Sequence, residues 1–280
     1  MDTTRSEILQ QQLAWAAARG GAVDAKGYTN SLDDNLFQPL GVATRADFAA
    51  GSGDELGSPE KKGKMCALHS SSALACNVFD YWRTRDLSAL SRALDLGVTA
   101  RTMRFEAKFP TSLEGVPPNL DLAFDAEGVT VGVECKFTEP FGSSKPSQPF
   151  KSKYFPPERK LWGEAGLPAC QHLAEGLQKG APQFKHLNGA QLLKHLLGLS
   201  RLGTGKFRLI YLWYAWAGPE SDAHASEVAA FAAAMDRGIQ FRALTFQELF
   251  RSLSGNLRTE DASYAAYLGG RYFGARWGGA

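Results

Sequence analysis

No stretch of the 280-residue chain approaches the roughly 20 consecutive apolar residues that a membrane-spanning helix needs. The N-terminus also lacks the basic-then-apolar order of a secretory leader, so a soluble, cytoplasmic protein without a membrane role is expected. A dominant charge is missing as well. Thirty-one Lys and Arg stand against 29 Asp and Glu, a formal net charge of +2. No global field therefore draws the protein to a polyanion, and any contact with nucleic acid must be local. Cysteine is scarce: Cys66, Cys76, Cys135 and Cys170 are the four, with no CxxC spacing and no paired histidines. That excludes a zinc site of ordinary spacing and a disulfide framework, and suits free thiols in a reducing compartment. Internal repeats are absent.

What is present is ordinary for a globular protein, 44% hydrophobic and 21% charged, in a length that suits one large domain with appendages. Residues 1–64 read as an arm, an N-terminal helix over 3–19 followed by a Gly-, Asp- and Ser-rich stretch in which 36–40 could anchor and 51–64 has little apolar surface to offset its ordering entropy. Residues 65–255 read as the core and 256–280 as a tail. Within the core the patterning predicts helices over 65–83 and 87–96, a strand over 102–109, a hairpin over 119–137, helices over 168–180 and 183–201, an apolar strand over 207–216, a helix over 220–238, a strand over 240–244, and a helix over 246–253 capped by Thr245.

The hairpin carries the chemistry. Two apolar runs flank Asp125-Ala126-Glu127-Gly128, a turn signal. In the second run Val129, Val131, Val133, Cys135 and Phe137 share one face, and Thr130, Gly132, Glu134 and Lys136 share the other. In the first run Leu120, Leu122 and Phe124 point one way and Asp121 the other, so Asp121 can converge on Glu134 and Lys136. Carboxylates in an apolar strand are costly to bury without a partner. Two of them make hard oxygen ligands for Mg²⁺, and a neighbouring lysine can orient water and stabilise phosphate charge. A solvated sheet face with a structural ion pair fits the same pattern. On the preceding strand Glu106 sits among polar residues, either joining this group or pairing with Arg104 or Lys108.

Pro118-Asn119-Leu120-Asp121 followed by Val133-Glu134-Cys135-Lys136 resembles the PD-(D/E)XK nuclease superfamily, whose motif is an acid and then acid-x-lysine on a hairpin. Ser70-Ser71-Ser72-Ala73-Leu74 with Asn77 and Phe79, the Phe105-Glu106 strand and Gln191-Leu192-Leu193-Lys194-His195-Leu196-Leu197 resemble a bacterial family of restriction endonucleases within it. The resemblance spans roughly 68–250. It implies an α/β, restriction-endonuclease-like fold, a mixed central β-sheet flanked by α-helices, and Mg²⁺-dependent (or Mn²⁺-dependent) hydrolysis of DNA. It further implies Asp121, Glu134 and the Cys135 carbonyl as metal ligands, Lys136 as the residue that positions the attacking water, and Glu106 as a further catalytic acid. Gln191 and Lys194 would reach the site from their helix, with Glu139 and Asn119 behind the acids.

Residues 138–168 form a Pro-rich insertion just after the acid-x-lysine strand. Lys145, Lys151, Lys153, Arg159 and Lys160, interleaved with Tyr154, Phe155 and Trp162, suit a phosphate backbone and stacked bases. A solvated loop whose aromatics pack locally suits them equally. Cutting both strands of a palindrome would call for a homodimer. A DNA-binding protein that kept this fold without chemistry, or a nuclease for RNA or branched DNA, is the alternative.

Overall fold

A computed structural model of the protein describes residues 3–142, 150–235 and 238–274. Lys145 of the insertion, and Arg276 and Trp277 of the tail, lie outside the described residues.

Five strands form one sheet in sequence order: β1 (Ala100–Lys108), β2 (Asn119–Ala126), β3 (Val129–Lys136), β4 (Phe207–Trp213) and β5 (Gln240–Thr245). The first three pair antiparallel, while β3 with β4 and β4 with β5 are parallel. The sheet is therefore mixed, and helices flank it, as the resemblance implied. Antiparallel neighbours need only the two-residue turn Glu127-Gly128, whereas each parallel step needs a helical crossover.

The helices that matter here are α1 (Thr4–Ala18), α2 (Val42–Ala50), α3 (Ser71–Phe79), α4 (Ser88–Ala93), α5 (Pro168–Gln178), α6 (Gly189–Leu199), α7 (Pro219–Ala233), α8 (Phe246–Ser254) and α9 (Ala262–Leu268). Caps decide several boundaries. Ser70 accepts from the Ala73 N–H, so α3 starts at Ser71 and the expected helix over 65–83 is shorter, with 3₁₀ turns on either side. Asn188 caps α6 by accepting from the Gln191 N–H, which places its start at Gly189 rather than near 183. Thr245 and Glu248 close a capping box on α8.

The two faces of the sheet are covered differently. Phe79 of α3 meets Phe124 edge-on, with ring centroids 6.0 Å apart. On the opposite face, a Cβ at Gly132 would lie 2.5 Å from Leu120 Cδ1 and 3.2 Å from Leu199 Cδ1. Glycine at 132 thus lets α6 press close to β3. It also shows that Leu120 does not stay with Leu122 and Phe124. The β2–β3 ladder ends at Leu122 opposite Val133, and the chain before it leaves the regular pleat.

The arm is more structured than its composition suggests. It contains α2, whose Phe48 stacks on Phe105 at 5.1 Å. Phe37 packs among Tyr81, Tyr264 and Tyr267, the anchor expected at 36–40. The 51–64 stretch is fastened by backbone bonds from Lys64 N–H to Asp54 and from Met65 N–H to Glu55. The tail folds back, with Arg271, Tyr272 and Phe273 all buried.

Candidate active site

Sheet register brings the acids together. Phe105 pairs with Leu122 and Ala107 with Leu120, which sets Glu106 opposite Asp121. The β2–β3 ladder stops at Leu122 opposite Val133, and just beyond it Asp121 reaches β3 through its side chain, near Glu134, which pairs with Tyr211. Three acids from three adjacent strands therefore stand in one row.

Glu134 is the most enclosed, at 1% exposure. Its Oε1 accepts from Lys136 Nζ at 2.5 Å. Its Oε2 lies 3.0 Å from His195 Nε2 on α6. Neither of those two buried atoms has a partner in hydrogen-bonding geometry, so this is a close approach rather than an aligned bond. Asp121 replaces a missing rung of the ladder: its Oδ2 accepts from the Cys135 N–H at 2.6 Å. A strand residue presents its N–H and C=O to the same edge, so the Cys135 carbonyl faces Asp121 too, while the neighbouring Lys136 carbonyl accepts from Tyr214 on the other edge. The Cys135 side chain is fully buried, as expected of a core residue.

The electrostatics divide the two central acids. Burial opposes ionisation of Glu134, but Lys136 and then His195 outweigh it and hold the carboxyl at about 2. Burial, and then the Glu134 charge, push Asp121 well above the usual carboxylate range against the pull of Lys136 and the Cys135 N–H. Burial likewise opposes charge on Lys136, yet Glu134 and Asp121 raise it above an ordinary lysine, so it stays an ammonium. The group thus holds two carboxyls pushed in opposite directions and a lysine favoured as the cation.

Glu106 is in the left-handed region, φ 48°, inside a strand. A glutamate gains nothing locally from that conformation, and such outliers persist where the surroundings enforce them. Here Asn119 Nδ2 donates to Glu106 Oε2 at 2.5 Å, and a Cβ at Gly51 would sit 2.6 Å from that same oxygen. Burial raises Glu106, the Asn119 bond lowers it, and Glu55 and Glu134 raise it further.

Glu55 is a member of this neighbourhood that the sequence reading left out, and His195, read there only as part of the Gln191–Leu197 helix, is another to which it gave no role at the acids. Glu55 is buried in the arm and raised by burial, with Ser72 of α3 donating to it. His195 lies one turn after Gln191, on the same helical face; that i, i+4 spacing was the available signal. Glu139 accepts from the Phe137 N–H at 2.8 Å and, with Gln191 and Lys136, borders a cavity beside the acids. Lys194 points elsewhere. It lies over Phe150 at 5.1 Å and Tyr154 at 5.4 Å, and burial with the nearby Lys151 and Lys153 lowers its pKa.

The insertion aromatics are turned inward. Tyr154 and Trp162 are buried, and Trp162 Nε1 donates to the Leu193 carbonyl at 2.8 Å, so these rings pack on α6 and are not free to stack on bases. Phe155 leans on Phe150 beside them. Arg159 is forked onto Glu164 and Lys160 lies 3.8 Å from Glu175. Lys151 is exposed, and Lys153 donates to the Glu114 carbonyl.

Among the described residues no group of three or more His, Cys, Asp or Glu side chains stands ready to hold a metal. A cation here would rest on two carboxylates, one backbone carbonyl and water. That set fits Mg²⁺, which takes oxygen ligands and keeps several waters. The unpartnered Glu134 Oε2 and the raised Asp121 are what such a site needs before a cation is supplied.

A family model described as "Restriction Endonuclease associating with ARP" matches residues 9–273. The chain belongs to this family. Membership implies a nuclease, a hydrolase whose substrate is DNA. No curated protein and no solved structure gives a significant match. No helix of the described residues is long and apolar enough to cross a membrane.

Proposed function

We propose that this restriction-endonuclease family member is a Mg²⁺-dependent endonuclease that hydrolyses phosphodiester bonds in DNA, with Asp121, Glu134 and Lys136 as its central residues. The carrying observation is the packing of two carboxyl groups and a lysine in a single group at the end of the hairpin, with Lys136 on Glu134 and Asp121 on the Cys135 N–H. Asp121, Glu134 and the Cys135 carbonyl would hold the cation. Bound there, Mg²⁺ supplies a Lewis acid that makes water more acidic and neutralises phosphate charge.

The protein's own residues do the rest. Lys136 orients the attacking water and donates to a phosphate oxygen as charge builds on it. Glu134 keeps Lys136 charged and aimed. His195 holds the Glu134 carboxylate from behind, a positioning role. Asn119 fixes Glu106 next to Asp121, where Glu106 can take up the proton that Asp121 releases or bind a water of the cation. In-line attack of water at phosphorus forms one P–O bond as the bond to the 3′ or 5′ oxygen breaks; the attacking water gives a proton to solvent and the leaving oxygen takes one from solvent. Lys151, Lys153 and Lys194 would form the patch along which the DNA backbone is tracked. Residues 65–255 constitute the nuclease core in this reading, and a partner of the kind the family description calls ARP would associate with it.

Cleavage of supercoiled plasmid and of linear single-stranded DNA, in Mg²⁺, Mn²⁺ or EDTA, tests the proposal. Cutting should require metal and should vanish in Lys136→Ala and Asp121→Ala. Cutting that survives EDTA, or that survives both substitutions, would sink it.

A further inference from the structure

A cavity of about 530 Å³ opens directly beside Lys136, and apart from Lys136 none of the residues that the proposed cleavage uses lines it. Tyr211 lies along its floor, Phe184 on its wall, and Gln183, Asn188 and Gln191 around it. Tyr211 is also the strand neighbour of Glu134, so the cavity and the acids share one end of the sheet.

We propose that this cavity receives one unstacked nucleobase, from the nucleotide next to the phosphodiester that is cut. The inference rests on the nuclease reading and adds a substrate class to it: DNA whose base can leave the helix at the cleavage position.

Three features carry it. The volume lies in the range of small-ligand sites and is large enough for a base with its sugar, which can enter only by leaving the stack of the duplex. The lining has the composition that base recognition needs. Phe184, Leu177 and Leu187 offer apolar surface for a ring face, and the three amide side chains offer donors and acceptors for a base edge. A site for phosphate alone would not need the apolar wall. Finally, the wall is fixed in advance. Glu227 accepts from three consecutive backbone N–H groups, Lys185 at 2.5 Å, His186 at 2.7 Å and Leu187 at 2.8 Å. His186 Nδ1 lies 2.8 Å from the Pro140 carbonyl, which ties this wall to the segment just after β3. A wall held this way spares the ligand the cost of ordering a loop.

The test uses the full chain carrying Asp121→Asn, in EDTA, titrated with each deoxynucleoside 5′-monophosphate and with deoxyribose 5-phosphate, and followed by NMR. At least one nucleotide should bind 10-fold or more tightly than the base-free sugar phosphate. Phe184→Ala should erase that difference, and so should Gln183→Trp, an exposed change at the mouth that leaves the packing of Phe184 alone. Equal binding of the base-free compound would overturn the inference, as would nucleotide binding that both variants leave untouched. Because no turnover is involved, the result stands apart from the cleavage assay. A protein that cuts DNA but binds no nucleotide here refutes only the pocket. One that binds nucleotides here but cuts nothing refutes only the nuclease reading.

Discussion

His195 Nε2 stands 3.0 Å from Glu134 Oε2, and both side chains are enclosed, at 1% and 2% exposure. A carboxylate buried this deeply depends on its few partners. Lys136 holds one oxygen and His195 confronts the other, from an element that follows β3 by more than fifty residues of chain.

Removing the imidazole should therefore act through Glu134. His195→Leu is expected to weaken Mg²⁺ binding and cleavage by about 10- to 100-fold, the usual cost of losing a residue that orients a ligand. Lys136→Ala should cost cleavage more, about 10²- to 10⁴-fold, since it removes the group that meets water and phosphate. Metal titration by calorimetry separates the two. A His195→Leu protein that binds metal as wild type does would leave the imidazole with a packing role only.

The opposite shifts of Asp121 and Glu134 set a pH dependence. Glu134 falls from 4.5 to about 2 on folding, so its contribution to stability is complete above 4.5 and is lost as pH drops toward 2. Asp121 rises from 3.8, so the folded state keeps a proton that the unfolded state releases. Its contribution is greatest at low pH and declines as pH climbs through the raised value. Metal binding requires that proton to leave. The increase in Tm produced by Mg²⁺ should thus grow from pH 5 to pH 8, with proton release on binding at the lower pH. A Mg²⁺ effect that is flat with pH counts against the assignment of Asp121.

Asp121→Asn follows from the same repulsion. The amide can still accept the Cys135 N–H, and it no longer faces Glu134 with a potential charge. Metal-free protein at pH 8 should gain stability, while cleavage disappears. Urea unfolding checks the first part and the plasmid assay the second. A destabilised variant would mean that the two acids do not oppose each other.

Much of this site was legible because a strand alternates with period two. Asp121, Glu134 and Lys136 could be placed on one side of the hairpin from spacing alone. The apolar run at β4 and the cap at Thr245 were equally plain. What could not be read depends on the third dimension. Glu55 comes from a stretch with a disorder-like composition, and only tertiary packing brings it near Glu106. Leu120 leaves its expected face beyond the end of the β2–β3 ladder at Leu122, which no local pattern encodes. The aromatic residues of the insertion resembled a base-stacking surface, yet burial against α6 claims Tyr154 and Trp162.

Glu106 offers a direct test of strain at the site. Its left-handed backbone, φ 48°, costs about 1 kcal/mol or more in any residue with a Cβ. Glu106→Gly should relieve it, offsetting the lost Asn119 bond and leaving stability unchanged or slightly raised, whereas Glu106→Val should destabilise. Both should cut DNA more slowly than wild type. Unfolding midpoints that fall equally in the two variants would show that the side chain, not the backbone, dominates.

Arg271 tests how the arm and tail are joined. Its side chain is fully buried without a carboxylate among the hydrogen-bond partners described for it. The guanidinium donates to Gln12 Oε1 at 3.0 Å, to the Asn35 carbonyl at 2.8 Å, to Asn35 Oδ1 at 2.5 Å and to Tyr267 OH at 2.7 Å. Its charge is met by ring faces, with Trp15 4.4 Å and Tyr272 4.7 Å away. Arg271→Met keeps much of the volume but strands several acceptors, each costing about 1 kcal/mol or more when left unsatisfied. A loss of about 3 kcal/mol is expected, read from urea unfolding. Gln12→Ala should lose less alone, and after Arg271→Met it should add less than it costs alone, because the first change has already broken one of their two bonds and leaves only that from Gln12 Nε2 to the backbone carbonyl of residue 271. Simple additivity would show that Gln12 and Arg271 act independently, and that the clasp between α1 and the tail is packing rather than a network.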